Sequence, residues 1–186
     1  RATLGATLTT KDSRNYLNDQ FLQVSSRDLT VLDLDGSLST RLFGGVLMME
    51  AGLAQGLDTL GALSDPANLP DPAPHAQLRK YKLGLNYQYP FSVFGQEASF
   101  SSLFSGQHAE DVLYGSEQML IGSLYSVRGF VRNTLSGDHG YYWRNELSTR
   151  IPLRFGDTTL AGRAFIAYDL GEVSNRAPGA PQGRLS

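Results

Sequence analysis

Cysteine is absent from the 186 residues. Without a thiol, a disulfide framework, a zinc–thiolate site and a cysteine nucleophile are all excluded. Charge is scarce: only 18% of residues are charged, and 16 Lys+Arg against 18 Asp+Glu leave a formal net charge of −2. Phosphate binding needs clustered cations, so no nucleic-acid partner is expected. No phosphate-cradling Gly-Lys-Ser/Thr loop occurs, so no nucleotide is expected either. No apolar run reaches the roughly 18 residues of a membrane-spanning helix. Membrane β-barrels stay open, because their signal per strand is much weaker. The three histidines, His75, His108 and His139, fall in stretches read as long loops, without a partner at zinc-site spacing. Asp138–His139 near Ser136 are neighbours on a loop and rarely face one another productively. The expectation is therefore no metal, no cofactor and no enzyme. The chain opens on Arg1 with neither a methionine nor a signal-peptide pattern, and reads as an internal piece of a longer protein.

What is present is glycine, 20 residues of it, and a repeated period-two alternation. Alternation marks strands with two unlike faces. Leu4, Ala6 and Leu8 oppose Thr3, Thr7 and Thr9. In Lys80–Phe91, Tyr81, Leu83, Leu85, Tyr87, Tyr89 and Phe91 oppose Lys80, Lys82, Gly84, Asn86 and Gln88. Trp143, Leu147, Ile151, Leu153 and Phe155 oppose Arg144, Glu146, Ser148, Arg150 and Arg154. Leu160, Ala164, Ile166, Tyr168 and Leu170 oppose Arg163 and Asp169. Unbroken parity predicts one long strand from Gln20 to about Arg41. Strands near Phe43–Leu53 and Val93–Ser105 bring the number to seven. Connections alternate between short (Arg41–Phe43, Pro90–Ser92, Phe155–Asp157) and long (Asp12–Asp19, Gln55–Gln77, Gly106–Gly140).

Short turns at one end and long loops at the other are the outer-membrane barrel arrangement. A soluble β-sandwich that binds carbohydrate or protein also alternates. Its strands are shorter, about 5–6 residues, and need not carry full charges on one face. The fold expected is all-β, an antiparallel transmembrane barrel, with the apolar faces against outer-membrane lipid. Lys82, Asn86, Arg144, Glu146, Arg150, Arg154 and Arg163 are then candidates for the lumen wall. Asp33 and Asp35 are read as lumenal acids facing water.

The stretch Ser116–Phe130, with Val127-Arg128-Gly129-Phe130 at its core, resembles the sixth-loop signature of two-partner secretion transporters. This is the outer-membrane haemolysin secretion/activation and filamentous-haemagglutinin transporter family, within the Omp85 superfamily. Gly137–Leu147 and Ala167–Gly171 follow at family spacing, and Arg14–Asp19 and Ser101–Gly106 also look like family segments. The family usually has two glycines where this chain has Gly122-Ser123, and an aromatic where it has Ala167.

The resemblance implies a barrel of sixteen strands, of which about seven lie within 1–186, and periplasmic POTRA domains absent from this chain. It implies that the long loop 106–140 folds back into the barrel. Arg128 would then meet Asp169 on the wall, beside Gly171. It further implies a pore for an unfolded, cognate secreted exoprotein of haemolysin, adhesin or toxin type. An outer-membrane assembly factor of the same superfamily is the related alternative.

Overall fold

The computed structural model describes all residues except 15, 18, 19, 22–26, 131, 157 and 181. The strands, in chain order, are β1 (Ala2–Ser13), β2 (Tyr16–Leu17), β3 (Gln20–Phe21), β4 (Arg27–Leu42), β5 (Gly45–Leu57), β6 (Arg79–Val93), β7 (Gln96–Ala109), β8 (Met119–Ile121), β9 (Leu135–Gly137), β10 (His139–Phe155), β11 (Thr158–Ser174) and β12 (Gly183–Leu185). Seven long strands and the short β12 form one sheet in the order β1-β4-β5-β6-β7-β10-β11-β12. All of its ladders are antiparallel. Among the described residues the remaining ladders, β2–β3 and β8–β9, pair only two and three residues per strand. Neither is long enough to supply the second layer of a sandwich.

Register carries the two faces across the sheet. Leu147 lies between Phe100 and Ile166, and Leu83 lies beside Ala51. On this side Leu4, Leu83, Leu147, Ile151, Ile166 and Tyr168 are all exposed. So wide an apolar surface left open is what lipid would cover. The other face carries Lys82, Asn86, Arg144, Glu146, Arg150, Arg154, Arg163 and Asp169. Phe165 shares this polar face, and the guanidinium carbon of Arg163 sits 5.4 Å from its ring centre.

Aromatics gather near both ends of the apolar band. Tyr87, Tyr89 and Phe91 stack in a row near the short turns, with ring separations of 6.5 and 5.6 Å. Phe104 and Tyr141 stack at 6.0 Å toward the long loops, where Trp143 Nε1 donates to Ser102 Oγ at 2.7 Å. Trp143 and Phe155 bracket about 40 Å of strand at ~3.3 Å per residue, or just under about 30 Å of membrane at a tilt near 45°.

Several sequence expectations need correction. The sheet has eight strands rather than seven, because Gly183–Leu185 pairs with β11. The strand predicted from Gln20 starts at Arg27; Gln20–Phe21 pairs instead with Tyr16–Leu17, and 22–26 lies outside the described residues. Pro90–Ser92 is not a turn: β6 runs through it to Val93. The ladder with β5 ends at Gln88, so Pro90 can leave its missing N–H on the open side. The reversal falls at Phe94-Gly95, and the preceding hairpin turns at Phe43-Gly44. All four residues have positive φ, 50° and 77°, and 49° and 81°. That is the type I′ geometry that two-residue hairpins favour. His108 and His139 lie in β7 and β10, not in loops, with ring centres 4.6 Å apart. Asp33 is not simply in water. Lys82 reaches across β5 to pair with it, where Gly52 and Ala54 leave room.

Candidate functional site

The loop 110–138 between β7 and β10 lies on the polar face of the sheet. Its apolar residues Met119, Ile121 and Val127 form a buried cluster with Val173 of β11 and Leu185 of β12, flanked by Phe130, Leu135 and Tyr142. The β8–β9 ladder stiffens it. Gly122 bends it: φ is +90°, and a Cβ there would stand 2.2 Å from Asn133 O. No side chain fits at that position. Ser123, where the family usually has a second glycine, closes the next turn with its hydroxyl. Tyr125 N donates to Ser123 Oγ at 3.2 Å, and Ser126 Oγ lies 3.1 Å from the same oxygen.

This turn delivers Val127-Arg128-Gly129-Phe130 to the wall. Val127 is fully buried. Arg128 Nε donates to Asp169 Oδ2 at 2.6 Å and its Nη2 to Asp169 Oδ1 at 2.7 Å. The planar guanidinium thus grips the carboxylate with two parallel bonds. The backbone N–H of Arg128 adds a third bond to Asp169 Oδ2 at 3.1 Å. Its Nη1 donates to Glu146 Oε2, and Arg163 Nη2 donates to the other oxygen of Glu146. Arg144 Nη1 donates to Tyr125 O at 3.0 Å, and its Nε lies 3.9 Å from Asp169 Oδ2. Hydrogen bonding to Asp169 raises the pKa of Arg128 above its ordinary value, so the loop cation stays charged. Gly171 lets the tip lie close: a Cβ there would meet Val127 Cγ2 at 2.8 Å.

Register explains the convergence. Arg144 pairs with Asp169 and Glu146 with Ala167, so these side chains share one face at adjacent levels. Asp169 is 8% exposed. Such a pair is less screened than a surface pair worth about 0–1 kcal/mol.

Arg150, Lys82, Asn86 and Arg154 stand apart from this knot. Arg150 pairs with Glu97 at 2.9 Å, both well exposed. Lys82 pairs with Asp33, Asn86 Oδ1 accepts from Gln88 Nε2 at 3.1 Å, and Arg154 is exposed. Arg163 sits on the rim of a cavity of about 620 Å³ near the short-turn end, together with Arg150, Glu97 and Ser148.

Sequence reasoning did not anticipate three loop-holding contacts. Glu146 is a direct partner of Arg128 and not only part of a charged wall; its parity with Asp169 was the available signal. Asp138 is 1% exposed. It accepts from Leu113 N at 3.0 Å, Gln118 Nε2 at 3.0 Å and Arg176 N at 2.8 Å, tying the two ends of the loop together. Glu117 is held by Lys80 and Lys11. These last two contacts join distant loop and strand segments, and period-two parity is silent about them.

Comparison with known proteins now fits this geometry. A family model described as haemolysin secretion/activation protein ShlB/FhaC/HecB matches residues 1–185. The chain belongs to this family. It is 37% identical over 141 residues to the outer membrane transporter CdiB of Dickeya dadantii, covering 76% of this chain and 25% of that protein. It is 34% identical over 175 residues to the hemolysin transporter protein ShlB of Serratia marcescens, covering 93% and 30%. The solved structure of CdiB from Escherichia coli superposes with a TM-score of 0.86 at 31% identity, over 98% of this chain and 33% of that one. The eight-stranded sheet is thus an arc of the family's β-barrel. The chain spans about a quarter to a third of the length of the relatives it matches.

Proposed function

We propose that this chain is part of the pore of a two-partner secretion transporter in the Gram-negative outer membrane. The cargo is an unfolded cognate exoprotein of haemolysin, adhesin or toxin type, passed to the surface or medium. The loop 110–138 acts as an internal plug held by Arg128, and the charged wall of Arg144, Glu146, Arg150, Arg154 and Arg163 lines the cargo's path. The lipid-facing side carries the apolar rows of β6, β10 and β11. No nucleotide, nucleic acid, metal or cofactor enters this reading.

The observation that carries it is the two-pronged contact between Arg128 and Asp169, shared with Glu146. Removing the Arg128 side chain takes two hydrogen bonds from the Asp169 carboxylate and leaves it Arg144 at 3.9 Å, a loss smaller than the roughly 3–5 kcal/mol of breaking a fully buried pair. In the full-length protein Arg128→Ala is expected to cut cargo in the medium strongly while leaving folded transporter in the outer membrane. Arg128→Lys is expected to restore only part of it, because an ammonium cannot form the fork. Cargo in the medium and transporter in isolated outer membranes are the two measurements. Normal secretion by Arg128→Ala at normal transporter levels would overturn the reading. An outer-membrane assembly factor would show itself differently, as a fall in other barrel proteins.

A further inference from the structure

Lys11 of β1 and Lys80 of β6 both donate to the carboxylate of one loop residue, Glu117. Glu117 is 3% exposed and Lys80 7%. Lys80 Nζ also donates to the Glu117 carbonyl at 2.8 Å, and Gln107 Nε2 to the same oxygen at 3.1 Å. Side chain and peptide of Glu117 are therefore both gripped by the wall. β4 and β5 lie between β1 and β6 in the sheet, so one carboxylate spans two intervening strands. On this face β5 presents only the small residues Gly52, Ala54 and Gly56 between the two lysine-bearing strands.

The arrangement is the charge inverse of the Arg128 contact. There a loop cation meets two wall carboxylates; here a loop anion meets two wall ammonium groups. The two sites share no residue and lie on either side of β8, with Glu117 before it and Arg128 after the turn at Gly122. A buried lysine is costly without a counter-charge. Glu117 supplies that charge to Lys80, and in return the base of the loop is fixed to β1 and β6.

We propose that Glu117 is a second anchor of the loop, independent of the Arg128 tip, with Lys80 and Lys11 as its receiving pair. Releasing the tip then swings the segment after Gly122 and leaves the base in place. The inference rests on the reading that the loop occupies the pore, and not on Arg128 being required for secretion.

The test uses the full-length transporter in lipid vesicles, with any cysteines outside this segment replaced. Spin labels are placed at Ser116→Cys or Tyr125→Cys, each paired with Ser37→Cys on the wall. Ser116 reports the base of the loop and Tyr125 the tip. Glu117→Ala is expected to replace a single narrow Ser116 distance with a broad distribution, while the Tyr125 distance stays narrow. Arg128→Ala is expected to do the converse. An unchanged Ser116 distance in Glu117→Ala overturns the second anchor, and so does equal broadening at both labels. An unchanged Tyr125 distance in Arg128→Ala counts against the tip lock alone, so the two failures are distinguishable. If Glu117→Ala does not insert, Glu117→Gln is read instead, which keeps the side chain's size and removes the charge that Lys11 and Lys80 share. Broadening at Ser116 is again expected, and an unchanged distance again refutes the proposal.

Discussion

Asp169 accepts three hydrogen bonds from Arg128, two from the guanidinium and one from the peptide. That concentration depends on a residue two places along, Gly171, where the tip meets β11. A Cβ at 171 would stand 2.8 Å from Val127 Cγ2, 3.1 Å from Tyr141 O and 3.2 Å from Tyr142 Cβ. Two of those neighbours belong to β10 and cannot withdraw without moving the strand, so the loop tip must yield. Gly171→Val is therefore expected to loosen the tip with both charged partners intact, at an overpacking cost of about 1–3 kcal/mol. Cargo secretion should fall toward the Arg128→Ala level while the barrel still inserts, and Gly171→Ala should fall between the two. Secretion by Gly171→Val equal to the parent would show that the close approach is dispensable. Arg128, Asp169 and Gly171 were all named from the motif and from parity. Glu117 and Asp138 were not, because their partners lie on distant strands and loops. Nothing in a single stretch of sequence marks a buried carboxylate whose counter-charges sit on β1 and β6.

Along each strand, alternation fixes which face a residue takes, because a shift of one residue would move every apolar side chain to the other side. The strong contrast between Leu, Ile and Tyr rows and Lys, Arg and Glu rows made β6, β10 and β11 plain, whereas β5 and β7, less regular in their alternation, were legible only roughly. Turn positions were less so. Proline at 90 suggested a break, whereas the reversal sits at Phe94-Gly95, the same Phe-Gly pair that turns the hairpin at 43–44. The repeated dipeptide was the better signal, since a type I′ turn, left-handed at both positions, matches the strand twist. The face assignment makes its own prediction. Leu147 stands mid-strand on the apolar side, between Phe100 and Ile166. Leu147→Arg is expected to destabilise the folded barrel by about 2–4 kcal/mol, as a cation near the bilayer midplane does. Asn86→Arg, on the polar face of β6, is expected to change stability little. Denaturant unfolding in lipid vesicles measures both, and equal costs would mean that the two faces are not divided between lipid and lumen.

At the scale of the whole molecule, the sheet has two outer edges, β1 and β12. Among the described residues the outer edge of β1 has no ladder partner, and β12 pairs with β11 over three residues only. An open edge in hydrocarbon exposes peptide groups at several kcal/mol each, which is why membrane strands occur in closed barrels. The loop makes the same demand from the polar face. Its Glu117 is bridged to β1 and β6 and its Arg128 to β10 and β11, so both grips need a wall held at fixed curvature. Closure of the barrel and seating of the loop should therefore be coupled. The 186 residues refolded by themselves into lipid vesicles are expected to lack the compact, heat-modifiable form that closed barrels show on gels without boiling. Their loop should be cut by protease at exposed Leu124 and Tyr125. The full-length transporter is expected to show the compact form and a protected loop. Recovery of both properties by adding the flanking strands would tie them to closure. A compact, protease-resistant species from the 186 residues alone would mean that the edges pair by another route, such as association of two arcs, and that the loop can seat without a complete barrel.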